Sequence, residues 1–337
     1  MNKNILITGG LGFIGSNFIE YYLEKYPDHS IFNLDKHTYA GELSNLKHIK
    51  NNSRYKWVKG DICDKSLIKS LFDKYNFSHI IHFAAESHVD NSINNPDQFI
   101  NTNVIGTFNL IDLARQYWMN APFQFKQGCE TNRFHHISTD EVYGSLGKEG
   151  LFTEDTPYAP NSPYSASKAS SDFLVRSYFH TYGLNVVTTH CSNNYGPKQH
   201  DEKLIPTIIR KALSGEEIPV YGDGKNVRDW LHVLDHCKGI DLAFQNGKSG
   251  ETYNIGGKNE RDNLYIANKI CSILEELKPQ AKPYKDLITF VKDRPGHDFR
   301  YAIDASKIEQ ELGWNAEENF ESGIIKTIHW YLKKYNS

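Results

Sequence analysis

Three groups of residues have types and spacings suited to chemistry. Tyr164 and Lys168 stand four apart, which on a helix puts both side chains on one face. Free tyrosine titrates near ~10 and is a poor base at neutral pH. A neighbouring ammonium favours the phenolate, so the pair can deprotonate an alcohol while its carbon gives up hydride. The second group is Thr139, Asp140 and Glu141, which follow the run Phe134-His135-His136-Ile137-Ser138. Thr139 can bond the same alcohol oxygen as Tyr164. Of the two carboxyls, one can remove a proton from a carbon while the other protonates a leaving oxygen on the next. The acid must stay protonated, which burial and adjacent negative charge favour. The same two residues also read as a helix N-cap and a solvated acid at a strand end. The third group is Gly9-Gly10-Leu11-Gly12-Phe13-Ile14-Gly15. Its glycines permit a tight turn, let backbone approach a pyrophosphate at Gly12 and let a helix pack closely on a strand at Gly15. A helix opening there offers free N–H groups and a positive dipole end.

Strands are expected at 4–8, 30–34, 55–59, 79–83, 134–138 and 185–190, alternating with helices at 13–26, 64–75, 96–118 and 163–182. That alternation predicts an α/β fold, a Rossmann-like doubly wound parallel sheet with helices on both faces. Runs such as Ile5-Leu6-Ile7 fit strands buried on both sides. The pattern puts the glycines at the first strand–helix turn and Asp140 at the carboxyl end of the fifth strand. Asp35 ends the second strand about 20 residues past the last glycine, where an acid takes the ribose hydroxyls and favours NAD over NADP. Asp61 and Ile62 end the third strand, where an adenine lies; Asp61 could equally cap the next helix. Beyond residue 195 Gly and Pro become frequent, and helices are expected at 203–214, 235–245, 263–277 and 320–334. This reads as a smaller C-terminal α/β lobe. Residues 1–195 form an NAD-binding domain carrying the catalytic residues, and 196–337 are mainly a substrate lobe, with the chain crossing between them. Residues 119–133 lack periodicity and read as a surface loop.

Composition excludes other classes. The 337 residues are 39% hydrophobic and 23% charged, a globular balance, and the net charge of −3 offers no polybasic field for nucleic acid or membrane. No run reaches the ~18 apolar residues of a membrane span. The opening residues, Met1-Asn2-Lys3-Asn4, lead too soon into glycine for a signal peptide, so a cytoplasmic protein is expected. The five cysteines are scattered, never Cys-x-x-Cys, and the 15 histidines show no ligand spacing, so neither a disulfide framework nor a metal is expected.

Several blocks are more specific: 84–90 (AAESHVD), 135–144 (HHISTDEVYG), 162–172 (SPYSASKASSD), 191–197 (CSNNYGP), 226–230 (NVRDW) and 293–298 (DRPGHD). Through them the chain resembles the extended short-chain dehydrogenase/reductase superfamily, and within it the dehydratase branch that acts on dTDP-glucose. The resemblance implies a reaction in three stages. Tyr164, assisted by Lys168 and Thr139, takes the C4 hydroxyl proton as hydride leaves C4. Glu141 then removes the C5 proton while Asp140 protonates the departing C6 hydroxyl. Finally hydride returns to C6, so a tightly held NAD is regenerated in each turnover. The resemblance also implies cofactor contacts from Gly9, Gly12, Phe13, Ile14 and Gly15; from Asp35, Lys36 and Thr38; from Asp61 and Ile62; and from Ala84, Ala85, Thr102, Tyr164 and Lys168. Substrate contacts are implied at Ser87, Thr139, Asn193, Lys203 and Leu204, and further along at Pro219, Tyr221, Arg228, Asn263, Arg294 and His297. Arg228 and Arg294 suit a diphosphate, since guanidinium forks bind phosphate bidentately. Arg228-Asp229 could instead be a surface ion pair, Tyr221 could simply pack, and His297 could be a plain surface residue. A homodimer is implied, pairing helices 96–118 and 163–182 in a four-helix bundle. The chain departs from the branch at His190, where Asn is expected, at Asn91 in place of a basic residue, and at Lys198-Gln199-His200-Asp201, which bears on thymine against uracil. The alternatives are a UDP-glucose dehydratase, a nucleotide-sugar 4-epimerase, which needs no Asp140–Glu141 pair, and a non-catalytic NAD-sensing protein, which needs no Tyr164–Lys168 pair.

Overall fold

The computed structural model describes residues 3–336, so Met1 and Asn2 of the N-terminal reading lie outside the described residues. The first half runs β1 (Lys3–Thr8), α1 (Phe13–Lys25), β2 (His29–Asp35), β3 (Tyr55–Lys59), α2 (Lys65–Tyr75), β4 (His79–His82), α3 (Val89–Asn94), α4 (Pro96–Phe99), α5 (Thr107–Trp118), β5 (Met119–Ala121), β6 (Gln124–Phe125), β7 (Arg133–Thr139) and α6 (Pro163–Tyr182). The second half runs β8 (Val186–Cys191), β9 (Asn193–Tyr195), α7 (Leu204–Ser214), β10 (Ile218–Tyr221), β11 (Val227–His232), α8 (Val233–Asn246), β12 (Thr252–Ile255), β13 (Glu260–Asp262), α9 (Asn263–Leu277), β14 (Ile288–Val291), α10 (Ser306–Leu312) and α11 (Phe320–Asn336).

Seven strands form one sheet in the order β12-β8-β7-β4-β1-β2-β3, and every pairing in it is parallel. This is the expected doubly wound sheet. Order reverses between β1 and β4, which opens a crevice at the carboxyl ends of the strands. Ile5 and Ile7 face the α1–α8 layer and Leu6 faces the α2–α5–α6 layer, so alternate residues of one strand enter two cores. A third core joins α7, α9 and α11 in the smaller lobe. β12, from the C-terminal half of the chain, pairs with β8 at the edge of the main sheet.

Two expectations are corrected. Residues 96–118 are not one α-helix: α4 runs into a π-helical stretch, Ile100–Gly106, before α5. Apolar periodicity does not register one extra residue per turn, and such turns occur where helices serve sites. The stretch 119–133 is not loop throughout, since β5 and β6 pair as a small antiparallel hairpin. Among the described residues no helix is long and apolar enough to cross a membrane.

The sheet and its covering helices bury His79, His82, His135, His136 and His236. Burial holds His79 and His236 down to about 3 and His136 to about 4. An unfolded histidine takes its proton near ~6.5, so above that pH neither state binds it and the stabilisation is complete. Below ~6.5 the unfolded chain gains protons that the folded chain refuses, and each such histidine withdraws up to about 1.4 kcal/mol per pH unit. The melting temperature should therefore fall steeply between about pH 7 and pH 5, with a proton uptake on unfolding of at least two. A flat pH profile in that range contradicts this reading.

Candidate active site

The turn after β1 is built as its glycines require. Gly9 has φ 71, and a Cβ there would lie 2.6 Å from the Ala84 backbone nitrogen. A Cβ on Gly15 would lie 2.5 Å from the Gly9 carbonyl oxygen. Gly12 is the N-cap of α1 and supplies no side-chain cap, so the first N–H groups of α1 stay free for an anion. Asp35, at the end of β2, accepts from Leu11 N at 2.9 Å and His37 N at 2.8 Å, which fixes its carboxylate beside the turn. Asp61 does not cap α2; Asp64 does, accepting from Leu67 N at 3.0 Å. Asp61 instead pairs with Lys36 at 2.7 Å. Burial alone would raise its carboxyl, but Lys36 and the Cys63 N–H outweigh that and leave it below the usual range.

From this turn a cleft of about 330 Å³ runs along the strand ends. Gly9, Gly12, Phe13, Ile14 and Gly15 line it, with Asp35, Lys36, Thr38, Asp61 and Ile62. Ala84, Ala85, Thr102, Tyr164 and Lys168 complete the residues expected at a dinucleotide, and Thr139, Asp140 and Glu141 stand on the same wall.

Local folding explains how the reactive groups meet. β7 is central and buried along most of its length, and at Thr139 it turns into a 3-10 turn over Asp140–Tyr143. Thr139 caps that turn, its Oγ1 accepting from Glu141 N at 3.3 Å. Opposite stands α6, started by Pro163 and by a capping box between Ser162 and Ser165, and stopped by Gly183 at φ 72. Tyr164 thus sits in the first turn and Lys168 one turn on. Lys168 Nζ donates to the Ile137 carbonyl at 2.8 Å.

The electrostatics correct one expectation. Tyr164 is pushed well above the ordinary tyrosine value, first by burial and then by the Glu141 charge, although a Tyr–Lys pair on its own predicts a shift downward. Among the protein's own groups, burial and carboxylates outweigh the Lys168 ammonium. The two carboxyls are treated unequally. Asp140 is buried, its Oδ2 has no partner, and burial followed by the charges of Glu141 and Asp229 raises it well above the usual range. Burial also raises Glu141, but Arg294, Arg228 and Lys203 pull it back. The net direction for Glu141 remains upward, so both carboxyls hold a proton more readily than usual and Asp140 the more firmly, an inequality that acid–base work can use.

The expected substrate residues divide. Ser87, Thr139, Asn193 and Lys203 line the cleft, and Lys203 Nζ donates to the Ser87 carbonyl at 3.0 Å. Leu204, Pro219, Tyr221, Arg228, Asn263, Arg294 and His297 are not on its wall but stand in the smaller lobe and its loops. Arg228 makes no ion pair with Asp229, which accepts instead from Gly257 N and Asn259 N. Its guanidinium covers the Tyr301 ring at 4.3 Å and donates to the carbonyls of Val227, Phe299 and Asp298, spending three of its five N–H donors. Arg294 pairs with Asp90 at 3.2 Å, and its Nε is buried without a partner. Tyr221 lies against Asp90 and edge-on to His297, and His297 is held by Asp293 at 2.7 Å. Asn263 Oδ1 is likewise buried and unpartnered at the start of α9.

Sequence reasoning passed over Glu86, Ser192, Asn194 and Glu202, which also line the cleft, and gave Gln199 only a bearing on the base. Glu86 and Asn194 lie in blocks that carry the family resemblance, so a signal was present without a role attached. Gln199 and Glu202 arrive through a loop whose position only the tertiary structure gives. The departing stretch is tied down at both ends: Lys198 pairs with Glu20 on α1, and Asp201 accepts from Tyr335 on α11 at 2.8 Å. His190 is buried against Tyr143 and Asp172.

The model of the GDP-mannose 4,6 dehydratase family matches residues 6–327. A dTDP-glucose 4,6-dehydratase of Neisseria gonorrhoeae is 54% identical over 336 residues, covering 98% of this chain and 96% of that protein. The solved dTDP-glucose 4,6-dehydratase of Streptomyces venezuelae, with NAD bound, superposes with a TM-score of 0.89 at 43% identity, covering 99% of this chain and 98% of that one. A UDP-glucose 4-epimerase of Thermotoga maritima, solved with UDP-glucose, reaches a TM-score of 0.85 at 26% identity, covering 98% and 99%.

Asp140 should weaken the fold at neutral pH. Below its ordinary value it is protonated in both states; as pH rises the unfolded carboxyl ionises freely while the folded one resists, and stability is lost. Asp140→Asn should therefore stabilise the chain by about 1–2 kcal/mol at pH 7, read by urea unfolding. A destabilised Asp140→Asn variant would show that the carboxyl is not a strained group.

Proposed function

The chain belongs to the GDP-mannose 4,6 dehydratase family, and on that premise we propose that it dehydrates dTDP-glucose to the 4-keto-6-deoxy sugar nucleotide with a tightly held NAD. The observation that carries this reading is the unequal pair Asp140–Glu141 on one wall with Tyr164. An epimerase on the same fold has no use for two adjacent carboxyls that hold their protons unequally.

The glycine cradle suits a dinucleotide, because any side chain at Gly9 or Gly15 would collide with backbone. The free N–H groups of α1 would hold its pyrophosphate, and Asp35 its ribose hydroxyls, with Lys36, Asp61 and Ile62 toward the adenine. When bound, NAD accepts hydride from C4 and returns it to C6. Tyr164 serves as base toward the C4 hydroxyl; burial and Glu141 work against its phenolate, so the cation of the nicotinamide and that of Lys168 are what favour it. Thr139 orients the same oxygen. Glu141 then takes the C5 proton, made acidic by the C4 ketone, while Asp140 gives its proton to the C6 oxygen and water leaves.

The 1–195 portion is read as the NAD-binding domain and 196–337 as mainly the nucleotide-sugar lobe. Arg294, with its buried unpartnered Nε, suits the diphosphate. Ser87, Asn193 and Lys203 on the cleft wall suit the sugar and its phosphates, and Asn263 Oδ1 is free to accept from the nucleoside. The enzyme is read as a cytoplasmic homodimer, consistent with exposed Ile100, Ile105, Phe108 and Phe173 on the segments expected to pair.

Purified protein, with no NAD added, should remove one water from dTDP-glucose and far less readily from UDP-glucose, followed by mass. Water loss mainly from the UDP sugar reassigns the base preference, and isomerisation without mass change establishes an epimerase instead. Glu141→Gln should abolish uptake of solvent deuterium at C5, and Asp140→Asn should slow water loss by roughly 10²–10⁴-fold. Full activity in both variants removes the dehydratase reading.

A further inference from the structure

One buried carboxylate has no part in the reaction derived above. Asp172 lies on α6, one turn beyond Lys168, and is buried. Side chains from three other segments converge on it. Ser138 Oγ, at the end of β7, donates to its Oδ2 at 2.9 Å, and the Tyr158 hydroxyl donates to the same oxygen at 3.2 Å. His190 Nε2, on β8, stands 2.9 Å from Oδ2, and His136 Nε2, on β7, stands 3.0 Å from Oδ1. His190 is itself held on both sides. Asn254 Nδ2 donates to the Phe152 carbonyl, and its Oδ1 accepts from the Tyr143 hydroxyl at 3.0 Å. Tyr143 stands 2.7 Å from His190 Nδ1, and the Tyr158 hydroxyl stands 3.1 Å from its Nε2, beside Asp172.

A buried carboxylate is seldom the cheapest way to fill a core, since well-packed apolar residues often do as well. Its place here is suggestive. Asp172 joins α6, which carries Tyr164 and Lys168, to the β7 end, where Ser138 directly precedes Thr139. We propose that Asp172 is a positioning residue: one turn beyond Lys168 on the same helix, it ties α6 through Ser138 to the end of β7 and places a carboxylate on the Lys168 side of that helix, so that Lys168 and Thr139 meet one oxygen. The meaning of that oxygen, the substrate C4 hydroxyl, rests on the proposed function; the effect on Lys168 does not.

Burial disfavours the Lys168 charge, and Asp172 followed by Cys191 on β8 opposes that. The other groups around it supply no comparable anion. His136 on β7 and His82 on β4 are held neutral by burial. Tyr164, on the same helix, is pushed toward its neutral form, as is Asp140 in the 3-10 turn, while Glu141 faces Arg294, Arg228 and Lys203. Asp90 on α3 is paired with Arg294, Asp97 on α4 is exposed, and the π-helical stretch Ile100–Gly106 has no charged residue.

The test reads Lys168 without turnover, from the pH dependence of its acetylation in the full chain as purified, by mass spectrometry of the peptide that contains it. Asp172→Asn should move the labelling midpoint down by about one pH unit or more. Asp172→Glu keeps the charge and should leave the midpoint near that of the wild type. Ser138→Ala should leave the midpoint in place and lower kcat about 10-fold at unchanged KM. A folded Asp172→Asn with an unmoved midpoint overturns the proposal. Should Asp172→Asn not fold, Ser138→Ala decides, and full kcat there overturns the proposal. A wild-type chain that leaves dTDP-glucose untouched would refute the proposed function while these midpoints still read as stated.

Discussion

Two carboxyl groups side by side, at the end of a buried central strand, cannot both ionise without cost. Water is largely excluded from Asp140, and its Oδ2 has no donor to satisfy it. Burial raises Glu141, the next residue, as well, but Arg294, Arg228 and Lys203 oppose it there. Those three cations come from the smaller lobe or the loop leading into it, while the carboxyls come from the sheet. The second lobe is thus more than a shelf for a nucleotide, because it helps set which of two neighbouring acids keeps its proton.

The scaffold serves that separation by holding the turn rigidly. β7 has strands on both sides and helices on both faces, and hydrogen bonds linking His136 to Ser171 and Ser138 to Asp172 continue the restraint into α6. α6 is stopped and started by strong local signals, a capping box and a left-handed glycine, so the register of Tyr164 against Thr139 does not depend on packing alone. The glycine turn after β1 is equally local in cause: backbone of Ala84 and Gly9 occupies the space where side chains would be.

Much of this was legible in the sequence because its causes are local. Apolar runs of strand length, a glycine turn between strand and helix and an acid at the end of β2 each report on a few neighbouring residues, and the cleft gathers the residues expected at the cofactor. What was hidden depends on contacts distant in sequence. Periodicity could not show the π-helical stretch before α5. The Tyr164–Lys168 spacing predicted a lowered phenol, but Glu141 and burial act on Tyr164 through the fold and reverse the direction. Arg228 looked like a free guanidinium or a partner of Asp229; instead the loop around Asp298 and Phe299 folds over and takes two of its donors, and the neighbouring Val227 carbonyl takes a third. Gln199 and Glu202 reach the cleft by a loop with no periodic signature.

The central claim is that a hydrogen leaves C4 and returns to C6 within one cleft, with acid–base work by Asp140 and Glu141 in between. The most direct measurement uses dTDP-glucose carrying deuterium at C4 and locates the label in the product by NMR. The account predicts the label at C6 of a product that has lost one water, with solvent hydrogen at C5. Label retained at C4 of an isomerised sugar, or lost to water, would contradict it.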